Sequence, residues 1–462
     1  MLYAITAPLI IAHILLSIVS LFFYPGSSLV YMFFSASYLA LIFHACKSKD
    51  SPSYFYLGLL LWLGFFLKTS CHVILSYPFS EGTGLFSYLP NQWDDGLIVS
   101  SIAAVSMVAT KQLLDKIFPL VSPLTAIKKN IPGWYIRNRR PLLIGYCISI
   151  FFITVSNSIF GIQITGIAPS TVLPWHLNIF VSWLLYFGVA LGISLLSCYE
   201  ISLSNGSTKS FILFLFEGIT ISISTLSRGY FVYQMIPYFH LNILNQKIFK
   251  TTPAIIFKRI IIFGILLFGS FFAITALRSA NYSLNIPRWQ NYDVKASFVT
   301  RQFMGVVVDR WIGIEGALAL SSYPDKSFSL FFANLEKGPP KPGQLDSYEE
   351  ISKSVYANPA NPISRNKKFV FSSLPGIVGF LLYSGSKIFL ALSILLIVFA
   401  LKFVDHLVYT AFGNLFLSAL IGFFLANTFA QFGPVPRQNF IPLLIIFFSL
   451  IPVFILTKRN LL

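Results

Sequence analysis

The sequence predicts an all-α polytopic membrane protein with about twelve transmembrane helices and a large helical and loop segment between helices 9 and 10. Three observations predict it. Hydrophobic residues make up 56% of the 462 and charged residues only 11%, against about a quarter charged in ordinary soluble chains. Apolar stretches of about 20 residues recur along the chain. Lys and Arg gather in alternate connections between those stretches. A water-soluble fold this apolar could not cover its surface with polar groups, so lipid is its natural solvent.

Taken in order, Met1–Phe23 has no basic leader and is too long for a cleaved signal core, so Leu2–Phe23 reads as the first span. The following candidates are Leu29–Cys46, Tyr54–Leu75, Leu97–Leu114, Leu142–Phe160 and Leu177–Cys198. After them come Phe211–Leu226, Tyr230–Leu244, Ile260–Leu277, Ile388–Phe403, Tyr409–Phe429 and Ile441–Leu456. The spans therefore divide into 1–277, carrying helices 1 to 9, and 388–462, carrying helices 10 to 12, with 278–387 between them.

Orientation follows from the short connections. Lys111, Lys116, Lys128, Lys129, Arg137, Arg139 and Arg140 stand against Asp115 in one of them. Lys247, Lys250, Lys258 and Arg259 mark another, Lys47 and Lys49 a third, and Lys458 and Arg459 close the chain. With about twelve spans all of these fall on one side, which the positive-inside rule makes the cytoplasm. Both termini are then expected inside, in an inner-membrane topology, with the 278–387 segment on the periplasmic side. That same distribution accounts for the net charge of +17 without a nucleic-acid partner.

The 278–387 segment differs in composition, holding half of the acids and the turn-rich stretches Gly338–Gly343 and Asn358–Pro362. Ala296–Leu320 is apolar enough to rest at the interface or dip into the bundle, and Phe369–Tyr383 suits a re-entrant segment. Cys46, Cys71, Cys147 and Cys198 sit in or beside apolar runs without metal-ligand spacing, and read as free, packed thiols. No Walker loop, dinucleotide fingerprint or HExxH motif occurs, so nucleotide-driven chemistry has no parts here.

Charges near bilayer depth are costly and mark function by default. Arg228 and Arg437 lie in short outer connections that the positive-inside rule does not explain, and Arg278, Arg301 and Arg310 lie in or beside the large segment. A guanidinium is a permanent fork of donors suited to phosphate or pyrophosphate; the competing explanation is an arginine that snorkels to headgroups. In Thr300–Gly316 two arginines and two acids stand among apolar residues. As one helix it would bring Arg301 and Glu315 within about 40° of each other. Glu315 is the first choice for a general base, with His72, Glu81, Asp309 and His176 as alternatives. Lys68 is a lone cation in the third apolar run and needs a partner, for which Glu217 is a candidate. His240 reads as a hydrogen-bonded packing residue.

The layout resembles bacterial Wzy-type O-antigen polymerases and the related O-antigen ligases. The likeness covers the whole chain as architecture, and the segments Asp309–Gly316 and Gln431–Gln438 look like those of polysaccharide-polymerase-like membrane proteins. Arg301 and Gly313 stand one residue further apart than the arginine–glycine element of such polymerases. The resemblance implies transfer of a glycan from undecaprenyl pyrophosphate to a sugar hydroxyl of another lipid-linked unit, with no metal or nucleotide cofactor. Catalytic roles would fall to Glu315, Arg310, Asp309 and His72, and substrate binding to Arg228, Arg301, Arg437, Arg278, Lys68 and Trp311. Trp289 and Tyr323 would join Trp311 in stacking on sugars. Membrane lipid and a chain-length regulator protein are the implied partners.

Other classes remain open. A flippase for lipid-linked oligosaccharides suits the span count, although no inverted repeat is visible. A glycosyltransferase using a lipid-monophosphate donor would use acids of an early outer loop, for which Glu81, Asp94 and Asp95 are available. An O-antigen ligase and a structural partner of a secretion complex complete the alternatives.

Overall fold

The computed structural model describes residues 2–48, 51–117, 133–166, 168–204, 207–244, 251–281, 304–338, 345–353, 373–433 and 436–458. Helices α1 (Leu2–Phe23), α2 (Ser28–Lys47), α3 (Pro52–Leu75), α4 (Pro90–Ile117) and α5 (Gly133–Phe160) open the chain. Helices α6 (Leu177–Ile201), α7 (Ser207–Ser224), α8 (Arg228–Leu244) and α9 (Pro253–Asn281) follow. Four short helices come next: α10 (Ile314–Ser321), α11 (Phe328–Glu336), α12 (Ser347–Ser352) and α13 (Gly376–Leu382). The chain closes with α14 (Lys387–Phe412), α15 (Leu415–Ala430) and α16 (Pro436–Lys458).

Among the described residues, eight helices are long and apolar enough to cross a membrane: α1 to α6, α9 and α14. The other expected spans are also helical, and α15 and part of α16 are shorter apolar helices. The surface agrees with a membrane-embedded chain. In α1 and α9 most of the apolar stretch faces outward, with Phe22 82% and Ile265 68% exposed. A soluble protein would hide such faces.

Two apolar cores hold the bundle together. One gathers α1 to α4 with α10, α13 and α14, through residues such as Phe34, Phe65, Leu97, Leu318 and Leu390. The other gathers α5 to α8 through Ile150, Ile193, Phe214 and Met235. Helix α15 belongs to both: Leu417, Leu420 and Phe423 enter the first, Leu415, Phe416 and Ala419 the second. The end of α3 and α4 on which the large segment packs is the loop end of the bundle, and the opposite one its far end.

The far end is tied by charged groups, and the buried ones among them have partners, as desolvation requires. Asp405 of α14 accepts from Ser51 Oγ (2.7 Å) and Ser53 Oγ (2.6 Å) at the start of α3. Asp115 of α4 pairs with Lys111 and with Lys402 of α14. Glu200 of α6 accepts from Arg139 Nη2 (2.6 Å) and Tyr135 OH (2.8 Å) of α5. At the loop end Asp94 accepts from Tyr24 OH and Ser27 N, both at 2.9 Å, which fixes the α1–α2 turn onto α4.

Two expectations are corrected. Helix α14 does not stop near Phe403 but runs to Phe412, where Gly413 takes a left-handed φ of 58° and Asn414 caps α15 by accepting from Leu417 N. Asp405, which lies between the two expected spans, and Lys402 are interior groups with partners. Thr300–Gly316 is not one helix in its described part: a π-turn at Met304–Val308 gives way to turns, and helix resumes only at Ile314. The described end of Ala296–Leu320 packs among the helices. Ile314, Ala317, Leu318, Ala319 and Leu320 are fully buried, with α10 packed on α4 and α13. Residues 376–382 of the second apolar stretch are buried as well. No disulfide joins the four cysteines.

Candidate functional site

The site grows from the last two turns of α3. Lys68 and His72 are one helical turn apart and share a face. Just before them α3 widens into a π-turn, Trp62–Leu67, a distortion frequent at functional sites. The turn has a local cause: Gly64 receives the backbone of Ile312 and Gly313 so closely that any Cβ there would collide with it. The π-turn at Met304–Val308 packs on the same stretch, with Met304 and Val308 buried against Cys71 and Leu67. The large segment is thereby docked on α3 by backbone contact, and its polar residues are delivered to Lys68 and His72.

Lys68 forms a buried ion pair with Glu315, in the first turn of α10, and donates to Trp311 O at 2.8 Å. The Lys68 and Glu315 side chains are 1% and 4% exposed, so each charge depends on the other. The helix N-terminus adds favourable potential at Glu315. His72 lies between two acceptors. Its Nδ1 donates to Tyr77 O at 2.7 Å, and its Nε2 is 2.8 Å from Asp309 Oδ1. A carbonyl oxygen only accepts, so Nδ1 carries a proton. The Nε2–Asp309 contact then shares one further proton between imidazole and carboxylate.

Glu81 completes the cluster from the α3–α4 loop. Gly82 and Gly84 lie so near the α12 backbone that a Cβ on Gly82 would be 2.8 Å from Lys353 O, and Gly84 N donates to Ser352 O at 2.8 Å. Gly84 has φ +65°, a conformation that costs glycine nothing. Glu81 accepts from Ser373 Oγ at 2.7 Å. Burial raises its carboxyl above the ordinary range; Ser373 and Lys68 oppose that rise, and the Glu315 and Asp309 charges add to it. Tyr348 of α12 is fully buried, and after burial it is the Glu315 charge that most raises its hydroxyl. The result is two carboxylates with fixed partners, one carboxyl biased toward its acid form and one imidazole sharing a proton. Such a set can accept and return a proton.

The structure brings together Glu315, Asp309, His72 and Lys68 from the sequence-selected residues, with Glu81 from among the alternatives. The partner of Lys68 is Glu315 and not Glu217, which lies in the second core. Trp311 is half-buried and donates its indole N–H to Val307 O at 2.7 Å. Arg310 is exposed, and its charge acts on Tyr233 of α8, whose hydroxyl accepts from Gln431 Nε2 at 3.0 Å. Arg228 opens α8, Arg437 lies in the first turn of α16 and Arg278 near the end of α9; the positions of their side chains lie outside the described residues, as does that of His176. Arg301, Trp289, both proline-rich stretches and the start of Phe369–Tyr383 also lie outside them. His240 packs between Phe55 and Tyr56, and its Nε2 has no hydrogen-bond partner, so ring contacts hold it. Sequence reasoning missed Tyr348 and Ser373; the paired glycines beside Glu81 were the available signal.

No protein-family model matches the chain, and no curated protein or solved structure matches it at a significant level.

Proposed function

We propose that the protein polymerises lipid-linked oligosaccharide units, moving a glycan from a polyprenyl-pyrophosphate carrier to a sugar hydroxyl of a second lipid-linked unit. The observation that carries this reading is the meeting of Lys68–Glu315, His72–Asp309 and Glu81 where the large segment folds back onto α3. About twelve spans, both termini in the cytoplasm and the cluster on the periplasmic face of a bacterial inner membrane belong to the same proposal.

In the reaction the acceptor oxygen attacks the anomeric carbon and the bond from that carbon to the pyrophosphate oxygen breaks. The acceptor proton passes to the Asp309 oxygen that His72 Nε2 does not engage, or to Glu81 when it is ionised, whereas Glu315 is neutralised by Lys68. The pyrophosphate leaves as an anion, and guanidinium groups stabilise the charge that develops on it. Arg310 is suited to this, with Arg228 at the start of α8 and Arg437 at the start of α16 close in sequence to Tyr233 and Gln431 beside it. Arg301 and Arg278 are further candidates, and the Lys68–Glu315 pair holds the segment in register.

One observation favours a second reading, a transferase with a lipid-monophosphate donor: the early-loop acid Glu81 enters the cluster. Asp94 weakens it, being committed to Tyr24 and Ser27.

Deletion of the gene followed by gel analysis of surface polysaccharide tests the proposal. Loss of the long-chain ladder with single-unit material retained is expected. Single units stranded inside the cell would support a flippase instead, and an unchanged ladder removes the polymerase.

A further inference from the structure

Glu217 is fully buried near the middle of α7, about 15 Å along the axis from Ser207. Among the described residues neither carboxylate oxygen has a hydrogen-bond partner. Its surroundings are set by three helices. The Tyr146 ring of α5 lies on Gly192 of α6, donates its hydroxyl to Val189 O and feels the Glu217 charge. Gly218 lets Phe231 of α8 pack directly on α7. The 3.9 Å contact between Lys209 and Glu200 sets the antiparallel register of α6 and α7, which brings the turn at Gly192–Ser194 level with Glu217.

The same helices carry other buried oxygens without a partner: Ser194 Oγ, Ser197 Oγ, Ser222 Oγ and Gln234 Oε1. A hydroxyl in an apolar helix has an easy alternative, which is to donate to the carbonyl one turn earlier. Thr154 and Thr220 do so here, each at 2.8 Å, but these serines do not. Each such group is costly when left unpaired, and an isolated carboxylate costs far more. A carboxylate in this setting needs a proton or a cation.

We infer that the α5–α8 group holds an intramembrane site for a monovalent cation, proton or sodium, with Glu217 as the anionic ligand and Ser194 and Gln234 as neutral oxygen donors. Hard cations take such oxygen sets. The site is separate from the Lys68–Glu315 cluster, which belongs to the other core, so it stands whether or not the chain transfers glycans. Tyr146 is the titratable group that faces Glu217 from α5; Glu200 is committed to Arg139, and α8 contributes the uncharged Gln234.

A membrane-soluble carbodiimide, which modifies protonated buried carboxyls, tests this on the full-length protein in detergent, read by mass spectrometry of the Glu217 peptide. Labelling is expected to fall several-fold between about pH 6 and about pH 9. A further several-fold protection by sodium chloride over choline chloride assigns the site to sodium; pH dependence without it assigns the proton. Labelling that is absent, or insensitive to both pH and salt, overturns the inference. Glu217→Gln keeps the shape and removes the charge. The wild-type melting temperature should depend on pH or sodium in a way that the variant's does not, and identical behaviour of the two also overturns it.

Discussion

Gly313 and Gly64 meet backbone to backbone, so that a Cβ on Gly313 would stand 2.5 Å from the Gly64 carbonyl carbon and 2.9 Å from its Cα. Both sides of the contact are main chain, and neither can move aside as a flexible side chain would. Gly313→Ala is therefore expected to lift the large segment off α3. Overpacking of this kind costs about 1–3 kcal/mol. Thermal melting in detergent checks the loss. Weakened protection of residues near Lys68 in hydrogen exchange checks that the lift is local.

The Lys68–Glu315 pair gives a sharper test. Removing one member of a buried pair strands the other charge and costs about 3–5 kcal/mol, whereas replacing both with apolar residues is often near neutral. Lys68→Met alone and Glu315→Leu alone should each destabilise the protein strongly. The double variant should recover most of the loss. Equal destabilisation by the double and the single variants would show that the pair is not the main contact.

How much of this was legible in the sequence depends on range. Apolar runs located the helices because lipid forces every spanning backbone to bond within itself. The α14–α15 boundary was misread because Asp405 resembles a polar connection until Ser51 and Ser53 supply its partners. At the site, Lys68 and His72 were visible as polar residues in an apolar run, and Asp309 and Glu315 as acids in an apolar stretch. Their pairing was not visible, since it joins α3 to a segment remote in sequence and depends on the glycine contact at Gly64. Nothing in local composition told Glu315 from Glu217 as the partner of Lys68.

His72 and Asp309 should matter for rate more than for stability. His72→Asn keeps a donor toward Tyr77 O but cannot share the proton with Asp309. General acid–base catalysis contributes about 10²–10⁴-fold, so chain elongation measured on lipid-linked units should fall by that order. A normal elongation rate in both His72→Asn and Asp309→Asn would move the proton-transfer role to Glu81.

Helix α12 should loosen as the pH rises. Burial and the neighbouring Asp346 charge push the Glu349 carboxyl up to about 7, against the opposing pull of Asp346 N, from which it accepts in the capping box. A group raised in the folded state contributes stability that is complete below its unfolded value of about 4.3. That contribution is lost as the pH climbs through its folded value. Hydrogen exchange over residues 345–353 is therefore expected to be faster at about pH 8 than at about pH 6 after correction for intrinsic rates. Glu349→Gln should remove most of that difference.

The arginines decide whether an anionic carrier is handled at this end of the bundle. Arg310 is exposed beside Tyr233, which accepts from Gln431, and Arg437 follows Gln431 at the start of α16. If they bind pyrophosphate, Arg310→Ala and Arg437→Ala should abolish long chains while the protein still inserts at normal levels. Arg→Lys at either position should restore little, because an ammonium keeps the charge but loses the fork that grips two oxygens at once. Headgroup anchoring makes the opposite forecast: lysine would serve as well as arginine, since snorkelling needs only a long stem and a positive end. Ladder gels of the four variants, each normalised to membrane abundance, separate the two roles for each arginine.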